Sequence, residues 1–154
     1  MISWGAAVST AGLALRAWAA GSIQKDRELA TTGPDAHTRN PLYLGSFILG
    51  VGVTVAGGRW VFGVAFLVFF LVVYRATVLR EAAELEARFG ERYRVYAAQV
   101  PSVLPRIIAH RGEGSAAPPG GFLRARYMRN REWEAALGAV AAFGVLALKL
   151  NLWP

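Results

Sequence analysis

Two short stretches hold most of the residues that could do chemistry. Arg39-Asn40-Pro41-Leu42-Tyr43-Leu44-Gly45 opens an apolar segment. Arg75, Arg80 and Glu81 close the next one, followed by Leu85, Phe89-Gly90, Tyr93, Tyr96 and Val100-Pro101. Guanidinium groups can orient an anionic group through paired hydrogen bonds. A carboxylate such as Glu81 can accept from a cationic or hydroxyl-bearing ligand. Asn40 can both donate and accept but cannot titrate as a base. The chain has no cysteine, which excludes disulfides, thiolate metal sites and cysteine nucleophiles. His37 and His110 are its only histidines, and no His/Asp/Glu cluster has metal-ligand spacing.

Each of these residues also has a plain structural reading. Asn is a favoured N-cap and Pro a favoured first helical residue, so Asn40-Pro41 can serve to start a helix. Tyr43 can be an interfacial anchor, and Gly45 can let helices approach closely. Glu81 lies four residues before Leu85 and eight before Phe89, which puts it on one apolar stripe with Tyr93 and Tyr96. A carboxylate there needs a partner or becomes protonated. The partner is either an ion pair with Arg39, Arg75 or Arg80, or a ligand. Tyr93 and Tyr96 read as core residues whose hydroxyls need partners if buried. His37 and His110 read as solvated loop residues.

The elements that must position these groups are helices in a membrane. The chain has 154 residues, 55% of them hydrophobic, and a mean hydropathy of +0.34. That is apolar for a soluble domain of this size. The apolar residues fall in four blocks: Ile2 to about Ala20, Pro41–Ala56, Trp60 to about Leu79, and Trp133–Trp153. Each is close to the roughly 17–25 residues that span a bilayer. No Lys or Arg precedes the first block, so it reads as a retained helix rather than a signal peptide. Only Gly57-Gly58-Arg59 separates blocks two and three, which predicts an antiparallel helical hairpin. A hairpin brings both polar stretches to one membrane surface.

The net charge of +7 reads as a cytoplasmic membrane face rather than a nucleic-acid surface, because the arginines flank apolar segments. From Arg75 to Arg131 arginines far outnumber glutamates. The positive-inside rule places that stretch and the Gly21–Asn40 loop in the cytoplasm, with the hairpin turn and both termini outside. Small residues in blocks two and four, including Gly45, Gly50, Gly52, Gly138 and Gly144, suit close helix packing. Glu81 to about Ala98 is expected to be an amphipathic helix on the cytoplasmic side. Gly112–Gly121 reads as a flexible linker. The basic, aromatic stretch Phe122–Arg131 is expected to lie along the headgroups.

Together these residues resemble the isoprenylcysteine carboxyl methyltransferase family, which includes related phospholipid methyltransferases. The likeness rests on Thr32-Gly33-Pro34, Thr38 to Gly45, Arg80-Glu81, Leu85, Phe89-Gly90, Tyr93, Tyr96, Val100-Pro101 and Pro105. It covers residues 29 to 105, about half the chain. The resemblance implies an all-α integral-membrane enzyme that uses S-adenosylmethionine. It implies a cofactor pocket at the cytoplasmic ends of the hairpin helices, with substrate entering laterally from lipid. Arg39, Asn40, Tyr43 and Gly45 would line that pocket from one side, and Arg80, Glu81, Tyr93 and Tyr96 from the other. The chain departs from many relatives in having Asn40 in place of His and Ala82 in place of a second Glu.

The resulting expectation is a single membrane domain with four transmembrane helices. It comprises a methyltransferase core at 29–105, the linker at 112–121, and a basic segment with the last span at 122–154. The function is methyl transfer to a lipophilic acceptor in the cytoplasmic (inner) membrane, of isoprenoid-linked carboxylate or phospholipid amine type. Arg75, Arg80 and Glu81 are the candidate catalytic residues. The partners expected are membrane lipids and a lipid-soluble substrate, with no nucleic acid and no metal. The rival is a non-catalytic membrane scaffold whose motifs only cap and pack helices. A small transporter fits poorly, since no intramembrane charge pair is evident.

Overall fold

In the computed structural model, residues 1–22, 29–110 and 122–152 are described. They form six α-helices and one short 3-10 turn, with no strand among them. The helices are α1 (Ile2–Ser22), α2 (Pro41–Gly57), α3 (Trp60–Phe89), α4 (Glu91–Gln99), α5 (Arg124–Arg129) and α6 (Trp133–Leu152). The 3-10 turn is Gly33–Ala36. The linker expected at 112–121 lies outside the described residues.

Each of the four apolar blocks is helical, but they differ as spans. Among the described residues only α3, with 30 residues, is long and apolar enough by length and hydropathy to cross a membrane. The apolar helix α2 is shorter, at 17 residues. Polar residues inside α1, Ser9, Thr10 and Arg16 among them, dilute its apolar character.

α1 and α2 form the closest helix pair, and glycines make it possible. A Cβ on Gly12 would stand 2.5 Å from the Leu49 nitrogen, and one on Gly52 would stand 2.5 Å from the Gly5 carbonyl oxygen. No side chain fits between backbones at that range. Ser9, buried in the seam, donates to the Leu49 carbonyl at 3.1 Å. Across α2, Gly50 seats the Phe66 ring of α3. Gly50-Val51-Gly52 thus packs a helix on each side and is not a cofactor loop. Gly138 and Gly144 of α6 meet nothing within 4 Å, so the close packing expected of block four does not occur there.

The hairpin turn forms as its sequence requires. Gly58 adopts φ 68° and ψ 11°, left-handed values that glycine takes without strain. α3 then runs past the apolar block. Leu79 is not its end, because Arg80 and Glu81 change polarity without disfavouring helix. The chain breaks at Gly90, where φ is 54°. The amphipathic helix expected at 81–98 is therefore two pieces, the end of α3 and the whole of α4. The stripe survives the break. Tyr93, Tyr96 and Val100 are buried together, with Leu85 and Phe89 packed against them. Glu81 does not join it: it is exposed, and the neighbouring Ala82 packs on the cluster instead.

A buried ion pair joins the helices, contrary to the sequence expectation. Arg16 of α1 pairs with Glu132, which precedes α6 and is only 7% exposed. The second contact of the pair, Nη2 to Oε2, is 3.0 Å. Arg16 also donates to the Ser46 hydroxyl and the Leu42 carbonyl of α2. The basic stretch around α5 packs on the end of α1. Asn130 Nδ2, the Leu123 amide and Arg126 donate to the carbonyls of Ala20, Gly21 and Ser22. These are the carbonyls that a helix C-terminus leaves without partners.

Candidate functional site

The loop before α2 and the segment after α4 are laced together. The Arg39 amide donates to the Pro101 carbonyl at 3.0 Å, the Arg106 amide to His37 at 2.8 Å, and the His110 amide to Ala36 at 2.9 Å. Thr38 is buried and donates from its hydroxyl to the Ser102 carbonyl at 3.1 Å. The two histidines expected in solvent belong to this lacing. His37 Nδ1 lies 2.7 Å from the Arg106 carbonyl, and the His110 ring packs on Tyr96. The lacing carries both motifs to the same end of the α2–α3 hairpin.

Asn40 sits at the N-cap position of α2 but forms no side-chain cap hydrogen bond. Its Nδ2 donates instead to the carbonyl and hydroxyl of Ser102, at 2.9 and 3.0 Å. It fastens the post-α4 segment to the mouth of α2, a role that capping rules do not foresee. One Arg39 Nη donates to the Tyr93 hydroxyl at 3.3 Å. Tyr96 donates to the Asp35 carbonyl at 2.7 Å. Both buried tyrosines thus have the partners their hydroxyls need. Burial pushes the Tyr96 hydroxyl pKa well up, helped by Asp35 and opposed by Arg39.

The opposite wall is formed by α2 and α3. Tyr43 directs its hydroxyl toward the Glu81 carboxylate, and its ring packs edge-on against Tyr74 with centroids 5.6 Å apart. Tyr74 lies 3.4 Å from the Ser102 carbonyl. It also ends an aromatic ladder of Phe47, Phe66 and Phe70 that holds the hairpin together. The four-residue spacing of Phe66, Phe70 and Tyr74 is the sequence signal that could have found it.

Arg39, Asn40, Tyr43, Glu81, Tyr93 and Tyr96 therefore gather at one end of the hairpin. Gly45 does not face them, because a Cβ there would meet the Arg16 side chain and the Gly12 carbonyl of α1. Arg75 and Arg80 are exposed on α3, and Arg80 pairs with Glu84 at 3.3 Å. Among the described residues Glu81 forms no ion pair with an arginine, and no group of three potential metal ligands occurs.

Sequence reasoning passed over Asp35. It is 5% exposed, and burial raises its carboxyl pKa well above the ordinary carboxylate value. Its own backbone amide opposes that shift and Glu81 adds to it. Two buried side-chain atoms in the described protein have no hydrogen-bond partner, Asp35 Oδ2 and Arg39 Nε. Both belong to this site.

An all-helical chain with a long apolar hairpin helix, and two motifs joined at its polar end, has a counterpart among known families. The model of the phospholipid methyltransferase family matches residues 2–92, more than half of the chain, and the chain belongs to that family. Over 83 residues it is 34% identical to the protein-S-isoprenylcysteine O-methyltransferase of Schizosaccharomyces pombe, covering 54% of this chain and 35% of that one. Over 113 residues it is 31% identical to the nickel-cobalt-cadmium resistance protein NccN of Alcaligenes xylosoxydans xylosoxydans, covering 72% of this chain and 51% of that one. The matched part is thus about a third to half the length of these curated relatives. No solved structure matches the chain significantly.

Proposed function

We propose that the protein is a membrane methyltransferase that uses S-adenosylmethionine and methylates a lipophilic acceptor at the cytoplasmic face. The observation that carries this reading is the junction of the two motifs: Arg39 and Asn40 are tied to the segment after α4, beside Glu81 and Tyr43. The unpaired Arg39 Nε suits an anionic group of the cofactor. Tyr43 and Tyr74 offer aromatic faces and hydroxyls to the rest of it, while Tyr93 and Tyr96, whose hydroxyls are engaged by Arg39 and Asp35, brace the pocket from behind. When bound, the cofactor supplies an activated methyl on a sulfonium. The protein then needs to contribute mainly position and electrostatics.

Glu81 provides negative charge beside Tyr43 and, being exposed, can accept from a cofactor hydroxyl or cation. Arg75 and Arg80, on the outer surface of α3, suit an anionic acceptor held at the headgroup level. The acceptor is of isoprenoid-linked carboxylate or phospholipid amine type. A carboxylate acceptor needs no base, which matches a site with no histidine at position 40. The apolar flank of α3 gives a lipid-borne substrate lateral access. In this reading α1, α2, α3 and α6 all lie in the bilayer, with Gly58 outside. α1 and α2 are carried by their packing more than by their own apolar length.

Transfer of radiolabelled methyl from S-adenosylmethionine tests the reading. Purified protein in lipid nanodiscs should move label into an S-prenylated cysteine acceptor or into phosphatidylethanolamine. Failure to label either one, together with no binding of the cofactor, would leave a scaffold whose motifs only pack helices.

A further inference from the structure

Asp35 Oδ2, an acceptor, and Arg39 Nε, a donor, lie four residues apart on one loop, both buried without a partner. They do not satisfy each other. Buried polar groups are rarely left in this state, and each exception calls for an explanation. Folding alone does not require the Asp35 charge. The 3-10 turn is held by backbone bonds from His37 and Thr38 to the Pro34 carbonyl. The contact of the Asp35 side chain with its own amide needs one oxygen only. An asparagine would serve equally there, without the cost of desolvating a carboxylate.

Both groups are held in place by their neighbours. Tyr96 donates to the Asp35 backbone carbonyl, and Arg39 is tethered through Tyr93. Glu81 is close enough to act electrostatically on Asp35. Two acidic side chains, Asp35 and Glu81, thus stand together at the site and suit a cationic group. One buried acceptor and one buried donor, fixed on a single loop, match the two ends of an α-amino-acid zwitterion. Resting on the cofactor assignment above, we propose that Asp35 receives the α-ammonium group of the methionine moiety of the cofactor, while Arg39 takes its α-carboxylate. Asp35 is then the residue that selects an intact amino-acid head over the bare nucleoside.

Calorimetric titrations of the purified full chain in detergent test this with three probes. S-adenosylhomocysteine carries the amino-acid head, 5′-methylthioadenosine lacks it, and N-acetyl-S-adenosylhomocysteine keeps the carboxylate but has a neutral amide in place of the ammonium. Asp35→Asn should weaken S-adenosylhomocysteine by about 10- to 100-fold, the loss expected for a hydrogen bond to a charged group, with 5′-methylthioadenosine little changed. On the unaltered protein the N-acetyl compound should show the same loss, so the test does not depend on the variant folding. Asp35→Asn should then no longer distinguish the two homocysteine ligands. Equal affinity of the unaltered protein for both overturns the proposal and leaves the cofactor reading standing. So does an Asp35→Asn protein that binds S-adenosylhomocysteine as tightly as the parent, or one that loses all ligands alike. If the unaltered protein binds none of the probes, the cofactor reading falls and takes the proposal with it.

Discussion

The α1–α2 body and the α3 arm meet at one site, and they are built differently. The body is closed: glycine-mediated backbone contact, a buried ion pair to Glu132, and a loop fastened to the segment after α4. None of the residues of α3 is buried, and it touches α2 chiefly through its aromatic ladder. The residues of the first motif are therefore held before any ligand arrives. Those of the second motif on α3, Arg80 and Glu81, stand in the open. The division is one of frame and contact: the closed body sets the shape of the site, and the open arm offers its side chains to what binds there.

If that division is right, substitutions in the body should cost stability, and substitutions on the arm should cost binding. The largest effect is expected at Glu132→Ala, which removes the carboxylate facing the half-buried Arg16 and leaves it, among the described residues, with Ser46 and Leu42 alone. Breaking a buried pair in this way typically costs about 3–5 kcal/mol, measurable as a lowered unfolding midpoint in detergent. A midpoint equal to that of the parent would mean that the body is not closed by this pair. Glu81→Gln should leave the midpoint alone and weaken cofactor binding by roughly 10- to 150-fold, the range for loss of a charged hydrogen bond. Equal binding would move Glu81 out of the site.

Smaller effects sharpen the contrast. Gly52→Ala pushes α1 and α2 apart and should cost about 1–3 kcal/mol, as overpacking usually does. Gly138→Ala, with nothing within 4 Å of its added carbon, should be neutral or slightly stabilising. A similar response at both glycines would contradict the packing difference. Asn40→Asp gives a graded case. An N-cap reading makes it nearly neutral. The observed donation to Ser102 makes it destabilising by about 1–3 kcal/mol, because a carboxylate then faces a carbonyl.

The sequence made the hairpin legible, because Gly57-Gly58 leaves no room for another connection. It also revealed the stripe that buries Tyr93 and Tyr96, since the residues keep their spacing on either side of Gly90. It misplaced the end of α3, because a change from apolar to charged residues marks a change of surroundings and not the end of a helix. It overlooked Arg16 and Glu132, which lie 116 residues apart and pair only once α6 is docked. Asp35 was hidden for a different reason: Gly33-Pro34-Asp35 has the composition of a solvated turn. Only the fold shows Tyr96 closing over it. Asn40 was read as a helix cap or a cofactor-pocket residue, while the partner it has in the fold, Ser102, comes from the segment after α4.

The central claim is that S-adenosylmethionine binds at the mouth of α2, and calorimetric titration of the purified protein with that cofactor tests it most directly. The expected result is saturable binding that is lost in Arg39→Ala and kept in Arg129→Ala, a substitution of an exposed arginine on α5. The account would be contradicted by a protein that gives no saturable binding, or by an Arg39→Ala protein that binds the cofactor as tightly as its parent.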